Sequence, residues 1–151
     1  MKNLILTLVL FVAMSATSFG QNKINYYTSV GLSMSNTADT TFSYSSYPSI
    51  EFGGMYDNIG VGVVLGRGNL SGFKSDVISN YWYEIKTSAS KTIGSASVYG
   101  LFGVGNYIST KRIFIEYGAG ISYTAGSFGF FTQASNWDGY WYVTPGITYN
   151  F

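Results

Sequence analysis

Apolar and polar side chains alternate with a period of two along nearly all of the chain from Lys23 onward. In Lys23–Met34, Ile24, Tyr26, Thr28, Val30, Leu32 and Met34 share one face, and Asn25, Tyr27, Ser29, Gly31 and Ser33 share the other. A helical period would scatter both sets, so the segment reads as a strand. Ser49–Tyr56 and Ile59–Gly66 repeat the pattern on either side of Asp57-Asn58, a pair suited to a two-residue turn. Tyr81–Ala89, Ser95–Gly105, Ile113–Tyr123, Ser127–Gln133 and Tyr140–Phe151 supply five further strands. The fifth has no clear phase, because Val98, Phe102 and Val104 compete with Tyr99 and Leu101. The seventh is short and alternates loosely. Eight strands are predicted, with no helix among them.

The connections alternate in length. Those near Asp57, Lys91 and Ala125 read as short turns, whereas Ser35–Pro48 and Arg67–Asn80 read as long polar loops. Asn106–Arg112 and Ala134–Gly139 are shorter members of the second set. Most strands approach the 9–11 residues that cross a bilayer when tilted. Tight turns on one rim and longer loops on the other fit an antiparallel up-and-down barrel of the membrane type.

The start of the chain has a different pattern. Met1-Lys2-Asn3 is short and positively charged, and Leu4–Ala13 is an almost wholly apolar run of ten residues. A bilayer span needs about 20, so this run reads as the core of a secretory signal peptide over residues 1–20. Small residues at Ser18 and Gly20 predict cleavage between Gly20 and Gln21, leaving a single domain over 21–151. An exported chain with no apolar run long enough for a spanning helix is either a soluble β-protein or a membrane barrel.

Composition narrows the function. Of 151 residues, 10% are charged and 19% aromatic, against about 25% charged in ordinary soluble domains. Eight basic and seven acidic side chains give no electrostatic reason to expect nucleic acid or an acidic substrate. There is no cysteine and no histidine, so disulfides, thiolate metal sites, cysteine nucleophiles and histidine general bases are all excluded. No catalytic residue, cofactor or metal site is expected. The doublets Gly60-Val61-Gly62 and Gly103-Val104-Gly105 lead into no helix, so they read as small luminal residues and not as phosphate loops.

Alternation alone does not say which face is outside. A soluble barrel puts its apolar face inward, and its exterior would need many charges. The polar face here carries only Glu51, Glu84, Lys86 and Glu116, and is otherwise rich in Gly and Ser. The apolar face gathers Tyr, Trp and Phe near strand ends, as at the two interfaces of a membrane barrel. The apolar face is therefore expected to meet lipid. The four charged residues become a luminal network in which Lys86 pairs with at least one glutamate, with Arg67 or Tyr27 assisting. Such a set reads as structural, since eight strands leave a lumen just wide enough for side chains.

With its leader, eight alternating strands and terminal Trp141…Tyr149-Asn150-Phe151, the chain resembles the small outer-membrane β-barrel family. That family includes OmpX-like proteins and the transmembrane domain of OmpA-like proteins. The resemblance implies an eight-stranded antiparallel transmembrane barrel in the outer membrane of a Gram-negative-type cell. Ile147, Tyr149 and Phe151 would match the C-terminal signal that the barrel-assembly machinery reads. Outer-membrane lipid and lipopolysaccharide would be the surroundings, with Arg67, Lys74, Lys111 and Arg112 at the outer loops. The expected protein is monomeric and non-catalytic, structural or interacting through its loops with a ligand the sequence does not identify. A narrow ion or small-solute pore and a soluble exported lipocalin-like barrel stay open as alternatives. Arginine at Val61 against arginine at Gly62 separates the two orientations of the faces.

Overall fold

The structure is a computed structural model that describes residues 24–36, 44–69, 79–137 and 139–151. The expected leader and its Gly20–Gln21 cleavage point lie outside these residues. Eight strands follow in order: β1 (Asn25–Asn36), β2 (Tyr44–Tyr56), β3 (Ile59–Asn69), β4 (Ser79–Ile93), β5 (Ala96–Tyr107), β6 (Ile113–Ala125), β7 (Phe128–Trp137) and β8 (Tyr140–Asn150). Each pairs antiparallel with its sequence neighbour, and β1 pairs with β8, so the sheet closes into a barrel with no free edge.

The period of two becomes an inside and an outside. Val30, Phe52, Ile85, Phe102, Ile115 and Ile121 stand on the outer surface, while Ser29, Glu51, Glu84, Glu116 and Gln133 point into the lumen. β5 takes the phase the sequence left open: Leu101, Gly103 and Gly105 are buried, and Val98, Phe102 and Val104 are exposed. Aromatic side chains collect towards the ends of the outer surface. Tyr81, Tyr140 and Trp141 lie near the rim of the longer connections, with Tyr26, Tyr56, Tyr123, Phe128 and Tyr149 near the opposite rim.

Three two-residue turns follow β2, β4 and β6. Asp57, Gly94 and Gly126, the first residue of each, have φ of 53°, 63° and 62°, as a type II′ turn requires at that position. The second turn corrects the expectation at Lys91, because β4 runs on to Ile93 and turns where Gly94 supplies the left-handed backbone.

The opposite rim corrects the predicted loops more strongly. The register continues from Leu32↔Pro48 to Asn36↔Tyr44, so Ser35–Asn36 and Tyr44–Pro48 of the expected Ser35–Pro48 loop are paired strand; residues 37–43 lie outside the described residues. Likewise, Arg67–Asn69 pairs with Ser79–Tyr81, and β7 extends through Ala134 to Trp137, leaving only residues 138–139 before β8. Two antiparallel arms continue to satisfy each other's backbone groups after the alternation that marks them in sequence has faded. Pro145 points outward in β8, and the β1–β8 pairing breaks between Gly31↔Gly146 and Met34↔Val143, where a residue without an N–H sits.

Candidate functional site

The lumen holds the chemistry. β2, β4 and β6 each aim one or two charged side chains inward, and the register sets them at neighbouring heights. Glu51 and Glu84 both oppose Val64 across their ladders, and Lys86 opposes Gly62 and Gly103, the latter opposing Glu116 in turn. The glycines make this crowding possible. A Cβ at Gly62 would stand 2.6 Å from Glu51 Oε1, and one at Gly103 would overlap the Glu84 carboxyl group. Gly62 and Gly103, one from each Gly-Val-Gly doublet, thus provide room for charged neighbours.

All four predicted residues are brought together. Lys86 Nζ lies 2.5 Å from Glu51 Oε2, and Tyr27 donates its hydroxyl to Glu51 Oε1 at 2.6 Å. Glu116 accepts from Gln133 Nε2 at 3.3 Å, and Tyr99 donates to Gln133 Oε1 at 3.5 Å. Tyr27 assists as expected; Arg67 does not. Its guanidinium stands on the outer surface, 5.7 Å from the Tyr81 ring centre, because position 67 has the outward phase of β3. Glu84 is fully buried with its carboxyl group against that of Glu116, and no other side chain donates to its oxygens among the described residues.

Beyond the charged layer, towards the longer connections, the lumen closes with aromatic rings. Trp82, Phe114 and Trp137 are 1–4% exposed and contact one another at ring-centre distances of 5.1–5.8 Å. Tyr107 packs at a tilt against Phe114, and Tyr142 against Trp137, with ring centres 4.8 and 4.6 Å apart. The Nε1 atoms of Trp82 and Trp137 and the Ser135 hydroxyl are buried without partners among the described residues. Beside Glu51, Glu84, Lys86 and Glu116 lies a cavity of about 10 Å³, room for about one water molecule.

Sequence reasoning missed this aromatic layer and the roles of Tyr99, Gln133 and Ser135. The available signal was phase: Trp82 lies two residues from Glu84, and Phe114 two from Glu116, so each pair shares a face. Ile147, Tyr149 and Phe151 all point outward, with Tyr149 and Phe151 in edge contact at 5.1 Å. The Phe151 N–H donates to Tyr26 O at 3.0 Å, tying the end of the chain to β1. Among the described residues, no group of three or more Asp or Glu is placed to hold a metal ion.

No protein-family model matches this chain, and no curated protein matches it. Solved structures do. The N-terminal β-barrel domain of Pseudomonas aeruginosa OprF superposes with a TM-score of 0.62 at 15% identity, covering 88% of this chain and all of that domain. Ail, the attachment invasion locus protein of Yersinia pestis, solved in complex with the heparin analogue sucrose octasulfate, gives 0.53 at 18% identity over 85% of this chain and 99% of Ail. Neisserial surface protein A gives 0.55 at 9% identity over 85% and 97%. All three are small eight-stranded outer-membrane barrels, and theirs is the fold of this chain.

Proposed function

We propose that this protein is an integral outer-membrane barrel whose closed, side-chain-filled cylinder carries loops for structural or adhesive interaction and performs no catalysis. The observation that carries the reading is the distribution of charge on the outer surface. Among described strand residues, the outward-facing charges are Arg67 and Lys91, both near strand ends; Glu51, Glu84, Lys86 and Glu116 are turned inward. Between those ends, the surface is apolar around the barrel, as a hydrocarbon layer requires and water would not. A soluble lipid-binding barrel needs the opposite arrangement of faces.

The packing of Trp82, Phe114 and Trp137 across the lumen supports a closed plug over a pore. Arg67, Lys111 and Arg112 stand exposed around the rim of the longer connections, where they suit the phosphates of lipopolysaccharide; Lys74 lies outside the described residues. At the other rim, the outward Ile147, Tyr149 and Phe151 suit recognition by the assembly machinery. A closed, separately stable cylinder fits a monomer.

The test is gel mobility of the protein from membrane fractions, with and without boiling. A heat-dependent shift in the sedimenting, detergent-soluble pool is expected, and Phe151→Ala should deplete that pool while leaving refolding in detergent intact. Recovery of the wild-type protein as a soluble species with no shift would refute the reading.

A further inference from the structure

The side chains of Glu84 and Glu116 meet inside the lumen. Gly103 of β5 opposes Lys86 on one side and Glu116 on the other, and the Glu84 side chain crosses it so closely that a Cβ there would overlap the carboxyl group. That route carries the Glu84 carboxyl from β4 over β5 to Glu116 on β6, within hydrogen-bond reach of its carboxyl. Glu84 is 0% and Glu116 1% exposed, so neither turns to water. The Lys86 ammonium is in contact with Glu51, which also takes the Tyr27 hydroxyl, and the Gln133 amide donates to Glu116. Among the described residues, Glu84 is left with Glu116 as its hydrogen-bond partner. Ionised carboxylates only accept, so a hydrogen bond between two carboxyl groups exists while one of them carries the hydrogen. Two like charges in contact and away from water do not both persist.

We propose that Glu84 and Glu116 hold one proton between them through neutral pH, Glu84 donating as a neutral carboxylic acid to the Glu116 carboxylate, and that this proton ties β4 to β6 across the lumen. Glu116 is the acceptor because it also receives the Gln133 N–H, a bond that is strongest to an ionised oxygen. The titratable and charged groups that face the pair are Tyr27 of β1, Glu51 of β2, Lys86 of β4 and Tyr99 of β5; β3, β7 and β8 turn uncharged side chains towards it, Gln133 among them. In the unfolded chain both glutamates ionise near the ordinary value of about 4.3. Above about pH 5, the folded barrel then holds one proton more than the unfolded chain, and its stability falls as pH rises. Trp82 and Phe114 stand two residues along from the two acids, so loss of the proton turns a tie into a repulsion directly under that aromatic contact. The luminal packing sets this proton, whatever meets the outer surface.

The experiment is urea unfolding of the refolded barrel in detergent from about pH 5.5 to about pH 8.5, below the ordinary range of lysine and tyrosine, read by tryptophan fluorescence and gel mobility. The folded-to-unfolded ratio of the wild type should fall about tenfold per pH unit relative to Glu84→Gln, whose amide makes the same bond with no proton to release. Infrared spectra of the folded protein at neutral pH give a second reading that needs no variant. Wild type should show the C=O stretch of a protonated carboxyl group, shifted in D2O. Glu51→Gln should keep that band and Glu84→Gln should lose it. The proposal is overturned if wild type lacks the band, if Glu84→Gln retains it, or if wild type and Glu84→Gln change with pH alike.

Discussion

Replacing Ile85 by arginine tests the outer surface where it matters most. Ile85 lies near the middle of β4, 43% exposed, between Val63 of β3 and Val104 of β5 on the outward face. If that face meets hydrocarbon, an arginine at this depth costs about 2–4 kcal/mol. At about 1.4 kcal/mol per factor of ten, the ratio of folded to unfolded protein falls about 30- to 700-fold. On a water-exposed barrel the same exposed position would tolerate arginine within about 0.5 kcal/mol. Ile113→Arg is the internal ruler: at the first residue of β6 it is more exposed, 66%, but sits at the rim beside Arg112. There the cost should be about 0–1 kcal/mol. Guanidinium unfolding in phospholipid vesicles, followed by tryptophan fluorescence, measures both. Equal effects of the two substitutions, or a change under about 0.5 kcal/mol at position 85, would refute a lipid-facing surface.

Four further outcomes follow, three from the lumen and one from the outer face. Lys86→Met removes the only described luminal cation and should cost about 3–5 kcal/mol, more than Glu51→Gln, in which Lys86 still faces Glu84 and Glu116; denaturant midpoints in detergent give the order. Gly62→Ala sets a methyl 2.6 Å from Glu51 Oε1 and 3.1 Å from the Tyr27 hydroxyl, and should cost about 1–3 kcal/mol in the same titration. Gly100→Ala points outward, with its nearest heavy atom at 3.9 Å, and should be neutral or stabilising. In planar bilayers the wild-type protein should show no steady conductance, and Trp82→Ala with Trp137→Ala should open one. A conducting wild type would contradict the aromatic plug.

The number, order and faces of the strands are readable in sequence because lipid or water on one side, and a lumen on the other, impose the same period of two on each. The ends are less readable. Tyr44–Pro48 and Ala134–Trp137 looked like loops because near the rim the outward side no longer needs to be apolar, although the backbone still pairs. The phase of β5 was hidden because Leu101 and Tyr99 are large side chains on the luminal face, where small ones were expected. The charged cluster was legible from Glu51, Glu84, Lys86 and Glu116 alone, since each shares the phase of the small residues. Which glutamate Lys86 chooses was not, because that depends on the clearance left by Gly62 and Gly103 across two ladders. Depth is another three-dimensional quantity. Val61, the sequence-based choice for an arginine test, lies only two residues inside the β3 end of its turn, so Ile85 probes the midplane better.

Pro145 gives the cylinder a weak seam. Seven of the eight pairings join neighbours along the chain and zip as hairpins, whereas β1–β8 joins its two ends and must close the whole ring. That last junction is also the one whose ladder is interrupted, between Gly31↔Gly146 and Met34↔Val143. A ring opens where its staves are least cross-linked, so breathing of the wall begins between β8 and β1. The Thr144–Ser33 hydroxyl bond of 2.8 Å, buried within the gap, then serves as the latch that the first excursion must release.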